Sequence, residues 1–148
     1  GRFTLPFETL YISYNLNTPL GSQLSRQLKA GSDVRLVNSP SEAQAILYIL
    51  GERRSRNVVA YNAYGDAREY ELKLEVSFRL AAPDGALYLP DTVIPAVREI
   101  SYNEEDYLTR DTEEALVINE MLSDIVVQMV RRIEKAQPPK QPEDLTTR

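Results

Sequence analysis

The sequence predicts an α/β fold of the α+β type, a two-layer sandwich with two helices packed on one face of a mainly antiparallel four- to five-stranded sheet. Residues 70–80 alternate apolar and polar side chains without a break, which is typical of a strand with one buried face. Residues 19–31 and 111–135 instead repeat apolar side chains at helical spacing. Because each of these three elements has one apolar side, placing both helices on the same face of the sheet buries all of them.

The first fifty residues predict the order strand, helix, strand, strand. Alternation through Leu10, Ile12 and Tyr14 indicates a half-buried first strand. Proline at position 19 suits the first turn of a helix, which we expect to end at Gly31. Two further strands are expected on either side of a turn-forming cluster, at residues 34–37 and 45–50.

The middle of the chain predicts an antiparallel meander. A strand at residues 57–64 is expected to turn at Gly65-Asp66, where glycine tolerates positive φ, into the long strand 70–80. Pro83-Asp84-Gly85 indicates the next turn. The last strand is expected at residues 92–102, and Pro95 within it favours an edge strand or a bulge.

The last predicted element is a long helix from Asp111 to Lys135. Asp111 and Glu114 resemble a capping pair, and basic residues near the other end complement the helix dipole. Prolines after position 137 prevent the helix from continuing. The chain is therefore expected to form a single domain over residues 1–136, followed by a disordered polar tail over residues 137–148.

Composition argues against most enzyme chemistry. The chain has no cysteine and no histidine, which removes thiol nucleophiles, imidazole bases and the usual zinc ligands. We expect no enzyme, no cofactor and no metal; a lysine-assisted serine hydrolase is the weakest alternative. A net charge of −5 opposes non-specific binding to nucleic acid or to an anionic membrane, so no nucleic-acid partner is expected.

Three surface features have both a functional and an ordinary interpretation. The run Glu52-Arg53-Arg54-Ser55-Arg56, at a predicted strand boundary, either grips phosphate or carboxylate groups or forms an exposed charged hairpin. The cluster Glu104-Glu105-Asp106 lacks the spacing of a calcium loop and favours a solvated loop. Several tyrosines favour either a contact surface or strand packing, namely Tyr61, Tyr64, Tyr70, Tyr102 and Tyr107.

Local sequences across almost the whole chain resemble the LptE family, the small lipoprotein subunit of the outer-membrane lipopolysaccharide translocon. The matching stretches are Leu5-Pro6-Phe7 with Leu10-Tyr11-Ile12, the helix that ends at Gly31, Gly65 to Leu74, Arg98 to Tyr102, and Arg110 to Met121. The resemblance implies a non-catalytic domain that plugs a large LptD-like β-barrel and helps to insert lipopolysaccharide into the outer membrane. It also implies a location on the periplasmic side of the outer membrane, through an acylated cysteine preceding Gly1.

The resemblance further implies which residues contact lipopolysaccharide. Arg110 matches a basic position just before the last helix of the family. A second basic position on the strand hairpin matches Ala63, so Arg68 and the arginines at 53, 54 and 56 are the nearby substitutes. The predicted lipopolysaccharide-binding residues are therefore Arg110, Arg68, Arg53, Arg54 and Arg56. The alternative function is a periplasmic scaffold or adaptor lipoprotein without lipid binding.

Overall fold

The fold consists of five strands and two helices in a computed structural model that describes residues 2–102 and 109–140. In chain order the elements are β1 (Thr9–Ser13), α1 (Pro19–Gly31), β2 (Arg35–Leu36), β3 (Ala45–Tyr61), β4 (Ala67–Ala81), β5 (Leu87–Ser101) and α2 (Arg110–Glu134). A single 3₁₀ turn at Pro40–Glu42 precedes β3.

The strands form one mixed sheet in the order β2-β1-β3-β4-β5. The short strands β2 and β1 and the start of β3 pair in parallel, whereas β3, β4 and β5 form an antiparallel meander. Gly65 and Gly85 occupy the two hairpin turns with φ of 84° and 94°, a conformation that side chains with a Cβ rarely adopt. The predicted α+β sandwich with a mainly antiparallel sheet is confirmed.

β3 differs most from the sequence prediction. Residues 45–50 and 57–64 were expected to be separate strands with a charged hairpin between them, but β3 runs through all 17 residues from Ala45 to Tyr61. The prediction of a hairpin at 52–56 is wrong. The charged run interrupts the apolar pattern because this part of β3 is exposed, not because the strand ends there.

The core lies between one face of the sheet and the two helices. In β4, the predicted inward residues from Tyr70 to Leu80 are all at most 8% exposed, and their polar neighbours lie on the opposite face. These residues share one buried cluster with side chains of both helices, including Leu24 of α1 and Ile125 of α2. Both helices therefore cover the same face of the sheet, as the sequence predicts. The opposite face is polar along β4 but carries exposed Val93 and Val97 on β5.

The two helices match their predicted bounds within one residue, but their ends differ in detail. Thr18 caps α1 by accepting a hydrogen bond from the Gly21 N–H at 3.1 Å. The N-cap of α2 is Thr109, so the predicted capping pair of Asp111 and Glu114 is wrong. Asp111 lies inside the first turn, where its charge still complements the positive end of the helix dipole.

α1 covers only part of β3. Its first residue, Pro19, lies beside Glu52 and Arg54 of β3. The Tyr14 hydroxyl donates a hydrogen bond to Glu52, and this bond raises the pKa of Tyr14 to about 12. Beyond this point β3 is largely exposed, and the ion pair between Arg56 and Glu114 connects it to the start of α2.

Two expectations fall outside the described residues. The acidic cluster Glu104-Glu105-Asp106 lies within residues 103–108, and most of the predicted disordered tail lies within residues 141–148. Of the described helices, neither is both long and apolar enough to cross a bilayer.

Candidate functional site

Two arginines contact the same tyrosine ring where α2 begins. The guanidinium carbon of Arg56 on β3 lies 4.9 Å from the centroid of the Tyr70 ring, and that of Arg110 on α2 lies 5.1 Å from it. Arg110 also lies 4.7 Å from the Tyr102 ring. Cation–π attraction therefore holds two positive charges over a buried aromatic pair. We call Arg56, Tyr70, Tyr102, Arg110 and Glu114 the arginine–tyrosine cluster.

Hydrogen bonds fix the members of this cluster. Arg110 donates to the Tyr70 hydroxyl. Arg56 donates to the Glu114 carboxylate at 3.1 Å, and the Tyr102 hydroxyl donates to the same oxygen at 3.4 Å. Because a guanidinium has five N–H donors, both arginines keep donors for another acceptor. The cluster is thus a preorganised pair of cations, one of which is bound to the Glu114 carboxylate.

The two tyrosines differ from the arginines in burial. Tyr70 and Tyr102 are 8% and 6% exposed, whereas the side chain of Arg56 is 49% exposed. Burial raises the pKa of Tyr102, and the nearby Glu114 carboxylate raises it further, while Arg110 and Arg56 lower it. Both rings therefore form a buried aromatic base beneath the guanidinium groups.

The position of Arg110 is unfavourable for the helix itself. It is the first residue of α2, where the helix dipole favours negative charge, yet it carries a positive one. Asp111 and Glu113 in the first turn offset this repulsion. A positive side chain here adds to the anion-attracting potential of the helix end.

The structure brings four of the five predicted arginines to one face of the sheet. The register of β3 with β4 places Arg54 and Arg56 opposite inward-facing Leu74 and Leu72. Arg68 lies two residues before Tyr70 on β4 and therefore on the same face of the sheet. Arg53 pairs with Glu75 and therefore lies on the opposite face. The strand register thus separates Arg53 from its two sequence neighbours.

The candidate tyrosines divide between the two interpretations. Tyr70 and Tyr102 pack in the core, whereas Tyr61 and Tyr64 are 65% and 85% exposed at the β3–β4 hairpin. Tyr107 lies outside the described residues. The packing role of Tyr70 was expected, but its role as a shared platform for Arg56 and Arg110 was not, because it depends on strand register.

A groove adjoins the cluster on the same face. It has a volume of about 300 Å³ and lies between α2, the first residue of α1 and the strands β3 and β4. Apolar side chains make up most of its lining, and Glu52 and Arg54 contribute the charges. Sequence reasoning missed this groove, because it forms only when residues from four elements meet.

The chemistry available at this face is binding chemistry. Guanidinium groups recognise carboxylate or phosphate through paired N–H donors, and the groove offers apolar contact beside them. Among the described residues, no group of three or more acidic side chains is close enough together to hold a metal ion. The fold and the candidate site together define a small two-layer α+β domain that carries arginine side chains and an apolar groove on its helix-covered face.

The chain belongs to the LptE family. The family model, described as lipopolysaccharide-assembly, matches residues 7–133. Membership of this family makes the chain a non-enzymatic, envelope-associated lipoprotein of lipopolysaccharide assembly.

Solved structures of lipoproteins share the fold. An uncharacterized lipoprotein B from Nitrosomonas europaea is 27% identical, with a TM-score of 0.78 over 90% of this chain and 87% of its own. A minor lipoprotein from Acinetobacter baumannii is 22% identical, with a TM-score of 0.73 over 93% and 99% of the two chains. The rare lipoprotein B from Shewanella oneidensis is 20% identical, with a TM-score of 0.72 over 83% and 91%. No curated protein sequence matches the chain significantly.

Replacing Glu114 with glutamine tests the electrostatics of the cluster. Without the carboxylate charge and its hydrogen bond, the pKa of Tyr102 should fall, because both interactions with Glu114 raise it. Because the pKa of Tyr102 is raised in the folded state, ionisation of its hydroxyl opposes folding. The folded state therefore keeps its full stability below pH 10, the ordinary pKa of tyrosine, and loses stability as the pH rises above it. NMR titration of ring-labelled tyrosine measures the pKa, and Glu120→Gln, an exposed change elsewhere on α2, is the control. An unchanged Tyr102 pKa would contradict the geometry.

Proposed function

We propose that this domain plugs the lumen of a large LptD-like outer-membrane β-barrel and contacts lipopolysaccharide during its insertion. The proposed location is the periplasmic side of the outer membrane, where a lipid on an N-terminal cysteine would anchor the protein. Family membership supports the partner and the location.

One observation supports the lipid contact most directly: Arg56 and Arg110 are held over the same Tyr70 ring. The phosphates of lipid A are anionic, and each arginine can offer two parallel donors to a phosphate. Preorganisation by the ring and by Glu114 reduces the entropy that binding would otherwise cost. We therefore assign the main contact with the lipid A phosphates to Arg110 and Arg56, with Arg54 and Arg68 flanking them. A role for Arg53 in lipopolysaccharide binding stays a prediction.

The exposed end of the β3–β4 hairpin supports the contact with a protein partner. Val58, Val59, Tyr61 and Tyr64 are between 39% and 85% exposed, which groups large apolar side chains at one end of the domain. Tyrosine contributes large contact area at low entropic cost in protein interfaces. The same observation also fits the alternative, a periplasmic scaffold or adaptor that binds protein without binding lipid.

Replacing Arg110 with aspartate should weaken lipopolysaccharide binding about tenfold without unfolding the domain. The change removes one guanidinium and places a negative charge where the phosphate would sit; losing a charge-assisted hydrogen bond costs about 1.5–3 kcal/mol. Arg26→Asp, which makes the same charge change on the exposed side of α1, is the matched control. Titration with purified lipopolysaccharide measures the affinity, and circular dichroism checks the fold. Equal binding by the two variants would reject the assigned site.

Co-expression with an LptD-like barrel separates the two functions. The proposed plug should co-purify with the barrel at a one-to-one ratio, and Arg110→Asp should leave that complex intact because the barrel is expected to contact the hairpin. Gel filtration of the detergent-solubilised complex measures the ratio. Absence of the complex would contradict the plug function. If the complex forms and the Arg110 variant binds lipopolysaccharide as tightly as the unchanged chain does, the scaffold function is favoured.

A further inference from the structure

Among the residues that the structure describes, β3 has one edge that is unpaired along most of its length. β1 pairs with β3 only from Ala45 to Tyr48, whereas β4 continues alongside β3 as far as Tyr61. From Gly51 to Val58 the register with β4 is regular, and among the described residues no strand lies on the other side. We call residues Gly51–Val58 the free edge.

The free edge has the hydrogen-bonding groups that an added strand requires. In an antiparallel pair, alternate residues direct both N–H and C=O away from their partner, so an eight-residue edge presents about four such residues. The segment contains no proline, whereas the outer strand β5 carries Pro90 and Pro95. Proline blocks strand addition, so β5 is protected and the free edge is not.

The charges along the free edge define which strand it can accept. Three arginines and one glutamate lie within it, in a chain whose net charge is −5. Arg54 and Arg56 lie on the helix-covered face, and Arg53 lies on the opposite face. Within the described part of the chain, Arg53 and Arg54 have no ion-pair partner. Both faces of an added strand would therefore meet positive charge.

The same charges oppose pairing with a second copy of this chain. A two-fold antiparallel pair centred on Ser55 would place Arg54 of each copy opposite Arg56 of the other. A pair centred on Arg53 or on Arg54 would place that arginine opposite the same arginine of the other copy. Like charges directly opposite one another destabilise a sheet, whereas opposite charges stabilise it.

We propose that the free edge binds an extended acidic segment of a protein partner as an additional strand of the sheet. Backbone hydrogen bonds would supply much of the affinity, and carboxylates opposite Arg53, Arg54 and Arg56 would supply the selectivity. This interaction goes beyond the proposed function, because it requires neither lipopolysaccharide nor the arginine–tyrosine cluster as a whole.

The probe is a blocked eight-residue peptide of valine, threonine and glutamate, titrated into the ¹⁵N-labelled chain. We expect the largest amide shifts at residues 51–58 and an affinity at least tenfold weaker for a peptide with lysine in place of glutamate. Arg53→Glu combined with Arg54→Glu should reverse this preference; both side chains are exposed, so the fold should be retained, which circular dichroism checks. Shifts confined to other residues would overturn the proposal.

Two N-methylated peptides distinguish strand addition from simple charge attraction. One carries methyl groups on its odd amides and the other on its even amides, so their charges are identical. Strand addition predicts that one of them binds at least tenfold more weakly than the other, since only one set of N–H groups faces β3. Equal binding by the two peptides would overturn the proposal, as would self-association of the free chain with protection of the same amides.

Discussion

The one-sided burial of β4 determines the rest of the molecule. Its inward residues from Tyr70 to Leu80 are the centre of the core, and they can be removed from water only if other apolar surfaces cover that face. Both helices meet this requirement from the same side. The opposite face needs no cover along β4, because charged and polar side chains occupy it. A two-layer rather than a three-layer fold follows.

The length of the strands relative to the helices creates the candidate site. β3 continues to Tyr61, past Arg54, which lies beside the first residue of α1. In this part of β3, Arg56 contacts Glu114 at the start of α2. Tyr70 is the first of the inward-facing residues of β4, and its ring contacts both Arg56 and Arg110. The site therefore lies where the covered part of the sheet meets the uncovered part.

Much of the fold could be predicted from local patterns, because β4, α1 and α2 each bury one side and show the corresponding period. β3 could not, since a strand exposed on both faces has no apolar alternation, and its charged run resembled a turn. The sequence indicates which arginines could bind anions, but not which of them lie together. Their grouping depends on strand register, which places Arg53 and Arg54 on opposite faces. Glu114 was assigned to a helix cap, and its contact with Arg56 depends on tertiary packing.

We propose that anionic lipid binds on the helix-covered face, beside Tyr70. Val58 and Val97 allow a matched comparison, because they are 39% and 44% exposed and lie on opposite faces of the sheet. A photo-crosslinking amino acid at each position, irradiated with purified lipopolysaccharide, would report which face contacts the lipid. Binding on the helix-covered face predicts strong crosslinking from position 58 and little from position 97. Equal crosslinking from both positions, or a preference for position 97, would contradict it.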